Sequence, residues 1–392
     1  MKFDRGLSLV LESNLRAKRS VLLFGPRQTG KTTLIKEVCA KFPVCLEYPL
    51  QLPSVRTKLE GDPEVLRREV AAAKGSGPAL VFIDEIQKIP ALMDVLQYLL
   101  DEKKIVLIAT GSSARKMRRA HTNWLPGRVR LEHLYPLTWK ESGLLRENGY
   151  DEVLFEDHLL YGSLPGILVQ GRAQRAEDLR SYASLYLEEE IRKEAVVRSL
   201  PPFARFLQLA ALESGTSPNL SKLAKDVGVS HTTIREYYQI LEDSLIVHRL
   251  SSWGKGRSSI LHKAKYYFFD LGVRNSAATI GHDKGLLTLQ KGPLFEHHVI
   301  LEALARRGDA RLFYWRNKKD REVDLVIEDG GKVTAVEIKA TTKPGDSDFA
   351  GLAAFREEEK CDHAFLVCQV ERPQRFKYGL AIPWWQFSSV WN

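Results

Sequence analysis

Nine residues, Gly25-Pro26-Arg27-Gln28-Thr29-Gly30-Lys31-Thr32-Thr33, carry the first chemistry this chain offers. The first eight are a Gly-x4-Gly-Lys-Thr loop, preceded by the strand-length apolar run Ser20–Phe24 and followed by a helical segment over 33–40. In that setting the glycines let backbone N–H groups turn toward phosphates, and the helix N-terminus adds its partial positive charge. Lys31 is placed to reach the β- and γ-phosphates of ATP, and the Thr32 hydroxyl to ligate Mg²⁺. Further on, the buried-strand run Ala79–Ile83 ends in Asp84-Glu85. Carboxylates at that end of a strand sit where an open parallel sheet binds its ligand. Asp84 is expected to hold Mg²⁺ and Glu85 to polarise an attacking water. A third run, Ile105–Ala109, leads to Thr110 and Ser112, either of which reads as a polar sensor of the γ-phosphate; the alternative is capping of the next helix by Ser112 or Ser113. Arg128 precedes the strand-like stretch 129–134; it reads as an arginine finger, in cis or in trans, or as a solvated loop residue. The charge run Arg115, Lys116, Arg118 and Arg119 reads as a solvated helix face.

A second group of candidates lies near the C-terminus. Val299, Ile300, Ala303 and Leu304 fall three, four, seven and eight residues after Glu296, so this carboxylate heads an inward-facing helical stripe. Two alternating segments, 322–328 and 333–340, flank Gly330-Gly331, the signal of a two-residue hairpin. With Asp329 opposite Lys332, the register sets Asp324 opposite Glu337 and Glu322 opposite Lys339, all on one face. Facing carboxylates destabilise a sheet unless a cation joins them. Asp324 and Glu337, with Glu296 approaching, therefore suit Mg²⁺ or Mn²⁺, with Lys339 beside the ion; a plain Lys339–Glu322 ion pair is the simpler alternative.

The elements that must position these groups alternate strand, helix and strand through the first 140 residues, as in a parallel α/β sheet. Segments 151–170 and 178–198 look helical, broken at Gly162-Ser163-Leu164-Pro165-Gly166. Leu220, Leu223, Ala224 and Val227 form one stripe, Gly228 turns the chain, Ser230 caps, and Ile234, Tyr238, Leu241 and Leu245 form a second stripe. This is a helix-turn-helix followed by a wing-like strand. The outward residues His231, Thr232, Arg235, Glu236 and Gln239 favour a solvated face over base reading; Lys255, Arg257, Lys263 and Lys265 suit contact with a nucleic-acid backbone. The 392 residues exceed one compact core, and a net charge of +9 is compatible with a polyanionic partner without requiring one. No apolar run reaches membrane-span length and no signal-peptide core opens the chain, so a cytoplasmic protein without membrane attachment is expected. Cys39, Cys45, Cys361 and Cys368 lack metal-ligand spacing and read as reduced thiols.

The motifs GPRQTGKTTL, FIDEIQK, ATGSSA, LPGR, GSLPG, VSHTTIREYYQILED, KYYFFDLG, GPLFEHHV and YWRNKKDREVDLVIE…VEIK occur in the order of a large prokaryotic family. The chain resembles that family over nearly its whole length. The family joins an AAA-type ATPase domain to a largely uncharacterised domain resembling restriction-endonuclease folds, PD-(D/E)xK. The resemblance implies an α/β fold: a P-loop AAA-type parallel sheet over 1–140, a helical lid over 141–199, a winged helix-turn-helix domain over 200–275 and a restriction-endonuclease-like α/β domain over 280–392. It places ATPase roles on Lys31, Thr32, Asp84 and Glu85, and the nuclease-like motif on Glu296, Asp324, Glu337 and Lys339. The expected function is an ATP-hydrolysing, DNA-associated protein whose C-terminal domain cleaves DNA with a metal ion or only binds it. Branched or forked DNA and a homo-oligomeric ring are the partners this reading names. Two alternatives stand beside it: a regulatory ATPase switch whose C-terminal domains bind proteins, and a branched-DNA motor without cleavage.

Overall fold

The computed structural model describes residues 3–73, 77–111, 125, 127–186, 200–254 and 264–391. They form two compact units, one built on 1–137 with 164–166 and 243–246, the other on 138–163, 167–242 and 247–392.

The first unit holds a five-stranded parallel sheet in the order β2-β3-β4-β1-β5, with β1 at Ser20–Phe24, β2 at Cys45–Pro49, β3 at Ala79–Asp84, β4 at Ile105–Gly111 and β5 at Val129–His133. Its central strands read as unbroken apolar runs because both faces are covered. Leu22, Phe24, Val81, Ile83, Leu107 and Ala109 join one core cluster, while Val21, Leu23, Leu80, Phe82, Val106 and Ile108 join the other. Helix α1 (Leu7–Arg16) and α2 (Lys31–Cys39) pack with the second cluster; α3 (Pro53–Gly61), α4 (Glu64–Ala72) and α5 (Leu92–Asp101) pack with the first. The four cysteines are free, with Cys39 and Cys368 buried.

In the second unit a short hairpin, β6 (Leu145–Arg146) and β7 (Gly149–Tyr150), leads into α6 (Glu152–Tyr161) and α7 (Arg172–Ser181). The second of the two helices expected between 151 and 198 thus starts at Arg172, where Gly171 leaves the backbone extended and the chain can turn into a new helix. Then come α8 (Leu200–Leu212), α9 (Leu220–Val227), α10 (His231–Asp243), β8 (Val247–Ser252) and β9 (Lys265–Phe268). The turn between α9 and α10 forms as its residues dictate: Gly228 takes φ +79°, and Ser230 Oγ accepts the Thr233 N–H at 3.1 Å. Ile234, Tyr237, Tyr238 and Leu241 are buried, and Thr232, Arg235, Glu236 and Gln239 are exposed.

After α11 (Leu271–Ala277) and the long α12 (Lys284–Arg306), which kinks at Gln290 ahead of Pro293, come β10 (Arg311–Arg316), β11 (Glu322–Asp329), β12 (Lys332–Ile338), α13 (Ala350–Glu358), β13 (His363–Cys368), β14 (Gln374–Phe376) and β15 (Gly379–Pro383). The eight strands from β8 onward make one mixed sheet in the order β14-β15-β13-β12-β11-β10-β8-β9. Strands of the 200–275 and 280–392 segments therefore share a sheet instead of closing separately, joined where Phe313 and Tyr314 pair with Ser251 and Ser252.

A buried polar knot ties α6 to α11. The fully buried Asp270 accepts the Ser163 N–H at 2.7 Å and, as N-cap of α11, the Val273 N–H at 3.0 Å. Asn275 Nδ2 donates to the carbonyls of Leu159 and Leu160, both at 3.0 Å. Burial pushes the Asp270 carboxyl up from 3.8 to about 6, against the pull of the Ser163, Val273 and Gly272 N–H groups. A raised carboxyl pKa means that the folded chain holds the proton more tightly than the unfolded one. Its contribution is present in full below about pH 4 and is lost as pH rises through 6, an effect on the order of 2–3 kcal/mol. Urea midpoints compared at pH 4, 5, 6 and 7 are expected to show the wild type losing stability relative to Asp270→Asn across that window. Parallel profiles would remove the assignment.

Candidate nucleotide site and C-terminal carboxylate site

In the first unit the loop over 25–32 bends between β1 and α2. Gly25 permits a close approach, since a Cβ there would stand 2.4 Å from the Leu134 carbonyl oxygen. Gly30 takes φ +93° and precedes α2 with no side-chain cap, so the first turn keeps its N–H groups for a ligand. Gly25, Pro26 and Thr29 are buried, Arg27, Gly30 and Thr32 half-buried, and Gln28 and Thr33 exposed. Lys31 is buried and donates to the Gly25 and Pro26 carbonyls at 2.7 and 2.8 Å; Thr29 Oγ1 donates to the Pro26 carbonyl at 2.8 Å.

The other expected residues converge on α2. Thr32 Oγ1 lies 3.0 and 3.2 Å from the two Asp84 oxygens. The Thr110 hydroxyl donates to Asp84 Oδ1 at 2.5 Å and accepts the Glu85 N–H at 2.9 Å, so one side chain fixes both carboxylate residues. Glu85 has φ +62°, an uncommon conformation for a residue with a side chain, and its carboxylate accepts from Gln87 Nε2. The clustered hydroxyl and carboxylate oxygens of Thr32 and Asp84 are hard donors that fit Mg²⁺. Two partners lay beyond sequence reasoning. Gln87 stood in the FIDEIQK motif without a role, and Arg5 donates to the Thr29 carbonyl at 3.1 Å and the Tyr135 carbonyl at 2.6 Å from outside any motif. Arg128 is paired with Asp101, at 2.5 and 3.1 Å. Ser112, Arg115, Lys116, Arg118 and Arg119 lie outside the described residues.

In the second unit the hairpin register is as expected: Gly330 and Gly331 take φ +54° and +82°, and Asp329 pairs with Lys332. The ladder stops at Leu325–Val336, one step short of Asp324 and Glu337. On the other side of β11, Phe313 pairs with Val326 and Trp315 with Val323, so two steps along β10 span three along β11. This β-bulge re-aims the residues around Asp324. Asp324 Oδ2 accepts the Ile338 N–H at 2.8 Å. The bulge also corrects the expected single face: Glu322 turns to Lys265 at 2.5 Å and Arg316 at 3.6 Å, and does not pair with Lys339. Lys339 instead contacts Glu337 at 2.6 Å and Asp324 at 3.7 Å, its own ammonium lying by the two carboxylates that the sequence reading joined with a metal. Apolar side chains are buried on both faces here: Val326, Val333 and Ala335 pack against α13, and Leu325, Ile327, Val336 and Ile338 are buried too.

Glu296 heads the buried stripe of α12 as expected, with Val299, Ile300, Ala303 and Leu304 all buried. Its Oε1 accepts from the Tyr267 hydroxyl at 2.7 Å and lies 3.4 Å from Lys265 Nζ. Lys265, expected at the surface as a phosphate contact, is instead 6% exposed and paired with Glu322 and Glu296. Its strand is hydrogen-bonded to β8, within the same sheet as β10 and β11, and a lysine turned inward there must meet carboxylates. Lys255, Arg257 and Lys263 lie outside the described residues.

Burial pushes the Glu337 carboxyl up to about 8, with the neighbouring Asp324 adding to the rise and Lys339 opposing it. Burial and Asp324 likewise raise Glu296, against Lys265 and Tyr267. Burial works against the charge of Lys339, but Asp324 and Glu337 outweigh it and hold the ammonium above its usual range. Glu337 Oε2 is buried without a hydrogen-bond partner among the described residues. An orphaned carboxylate oxygen at the end of a strand fits a divalent cation. Among the described residues no three His, Cys, Asp or Glu side chains are gathered as a metal site.

Parallel sheet, phosphate loop and strand-end carboxylates define the first unit as a P-loop ATPase. Comparison with known proteins narrows this: residues 17–143 match the AAA domain, so the first unit carries an AAA-type ATPase domain. Residues 152–284 and 291–387 match two domains of unknown function, DUF8612 and DUF4143. An uncharacterized protein of Mycobacterium tuberculosis is 29% identical over 331 residues, 83% of this chain and 71% of its own length. Another, of Methanocaldococcus jannaschii, is 30% identical over 195 residues, 47% of this chain and 38% of its own. A Walker-type ATPase of Pyrococcus abyssi has a similar fold, with a TM-score of 0.50 at 16% identity, covering 70% of this chain and 96% of that one. No helix among the described residues is long and apolar enough to cross a membrane.

Proposed function

We propose that this chain hydrolyses ATP to act on DNA, and that its C-terminal unit pairs a winged helix-turn-helix with a metal-dependent, restriction-endonuclease-like phosphodiester site. The observation that carries the second half is the buried, unpartnered Oε2 of Glu337 beside Asp324 and Lys339. The helix-turn-helix followed by the β8–β9 hairpin supports the DNA half.

In the first unit Lys31 and the uncapped N–H groups of α2 hold the phosphates, Thr32 and Asp84 hold Mg²⁺, and Glu85, oriented by Gln87, takes up a proton from the attacking water. Arg128 would serve as a finger only after leaving Asp101, and a ring of subunits is the assembly that would use it in trans. Mg²⁺, when bound, spreads the negative charge of the β- and γ-phosphates. In the second unit Asp324 and Glu337 would hold Mg²⁺ or Mn²⁺, with Glu296 nearby, and the ion supplies positive charge to the phosphate under attack. Lys339 holds the two carboxylates together and can move toward the phosphate, its side chain being 41% exposed.

The test is a panel of single-stranded, duplex, forked and four-way DNAs with Mg²⁺ or Mn²⁺, with and without ATP. Asp324→Asn and Glu337→Gln are each expected to lower cleavage on the order of 10²-fold or more while ATP hydrolysis persists. Salt-sensitive binding by all three proteins would accompany this, since phosphate contacts release counterions. The Lys339 ammonium beside both carboxylates favours one other reading: an inactive nuclease-like module in a regulatory ATPase. Absence of cutting and of salt-sensitive DNA binding across the panel would select it.

A further inference from the structure

Strand β9 follows the helix-turn-helix, yet its side chains end among the C-terminal carboxylates. Lys265 and Tyr267 are two residues apart on one strand and so share a face. Tyr267, fully buried, donates its hydroxyl to Glu296 Oε1 at 2.7 Å. The next residue of each element repeats the grip, His297 Nε2 meeting the Phe268 carbonyl at 2.7 Å. Lys265 spans the gap to β11, 2.5 Å from Glu322 and 3.4 Å from Glu296, with its ammonium 5.5 Å from the centre of the Tyr314 ring.

The Glu296 carboxylate has few orientations left, because Tyr267 fixes one oxygen and Lys265 attracts the same one. Hydrogen bonds that orient a ligating carboxylate commonly govern metal affinity as strongly as the ligand does. A fixed ammonium within 4 Å of that carboxylate also opposes any second cation there, by Coulomb repulsion at short range.

We propose that Tyr267 and Lys265 are positioning residues of the C-terminal site: Tyr267 fixes the Glu296 carboxylate, and Lys265 is an internal cation that competes with a divalent ion for it. The hairpin after the helix-turn-helix is thereby part of the site, and whatever moves β9 changes how the site holds its ion. This rests on the metal-site reading above, and the experiment separates the two.

Mn²⁺ is titrated into the full chain carrying Asp84→Asn, which silences the nucleotide site, and free Mn²⁺ is read by electron paramagnetic resonance. Asp324→Asn and Glu296→Gln should each weaken binding. Tyr267→Phe should weaken it about tenfold with an unchanged thermal midpoint, since only a hydroxyl is removed. Combining Tyr267→Phe with Glu296→Gln should be no weaker than Glu296→Gln alone, because the hydroxyl acts through that carboxylate. Lys265→Met should tighten Mn²⁺ binding; if that variant does not fold, Lys265→Met with Glu322→Gln removes both charges of the pair and is expected to move the same way. A merely structural strand predicts that every β9 variant weakens binding, so weakening by the Lys265 variants overturns the proposal. So does unchanged affinity in Tyr267→Phe when Glu296→Gln is weakened. Affinity unmoved by Asp324→Asn and Glu296→Gln overturns the metal-site reading itself, and the proposal with it.

Discussion

Lys31→Ala is expected to bind no measurable ATP, and Glu85→Gln to bind ATP near wild-type affinity while hydrolysing it on the order of 10²–10³-fold more slowly. The lysine ammonium bridges the Gly25 and Pro26 carbonyls from a buried position, so truncation removes both the charge that meets the phosphates and the brace across the loop. Glu85 stands differently. Its backbone is held in a left-handed conformation by the Thr110 hydroxyl, and its carboxylate is oriented by Gln87, an arrangement that leaves phosphate binding to other residues. Glutamine keeps the shape of that side chain and loses its basicity. Fluorescent-nucleotide binding and phosphate release measured together separate the two variants. Hydrolysis by Glu85→Gln at the wild-type rate would withdraw the base from this residue.

Gly162→Ala and Gly272→Ala should each cost about 3 kcal/mol or more. The two glycines sit on opposite sides of one close contact. A Cβ at Gly162 would lie 2.0 Å from Asp270 Oδ1, and one at Gly272 would lie 2.2 Å from the Tyr161 carbonyl oxygen. Gly162 also has φ +71°, which adds strain for any side chain. Asp270 cannot retreat, because it caps α11 and accepts the Ser163 N–H. Gly166 is the control: a Cβ there would meet nothing within 4 Å, and its φ is not positive. Alanine at 166 should shift stability by no more than ~1 kcal/mol. Thermal and urea unfolding of the three variants decide the matter, and Gly162→Ala melting like the wild type would refute the contact.

The geometry of the candidate nucleotide site was largely legible in the sequence because it is made of short contiguous pieces. Eight adjacent residues and a strand ending in Asp84-Glu85 specify their own local geometry, and strand runs that are apolar throughout announce a sheet covered on both faces. The Gly330-Gly331 turn set the hairpin register for the same reason, and the helical stripe turned Glu296 inward. Two motifs, GSLPG and KYYFFDLG, meet through the Ser163–Asp270 contact, made across 107 residues of chain and invisible in either motif alone. The bulge beside Asp324 was hidden because an extra residue in β11 has meaning only against β10, its other neighbour. Lys265 was misread for a related reason. In the sequence it is one of several basic residues between 255 and 265, and only the sheet order, which sets β9 beside β8 and β8 beside β10, turns it inward to Glu296 and Glu322. Periodicity and adjacency are properties of a short stretch of chain, so the sequence alone determines turns, stripes and the phosphate loop. Which distant side chain satisfies a buried charge depends on which strands lie side by side, and the tertiary structure alone decides that.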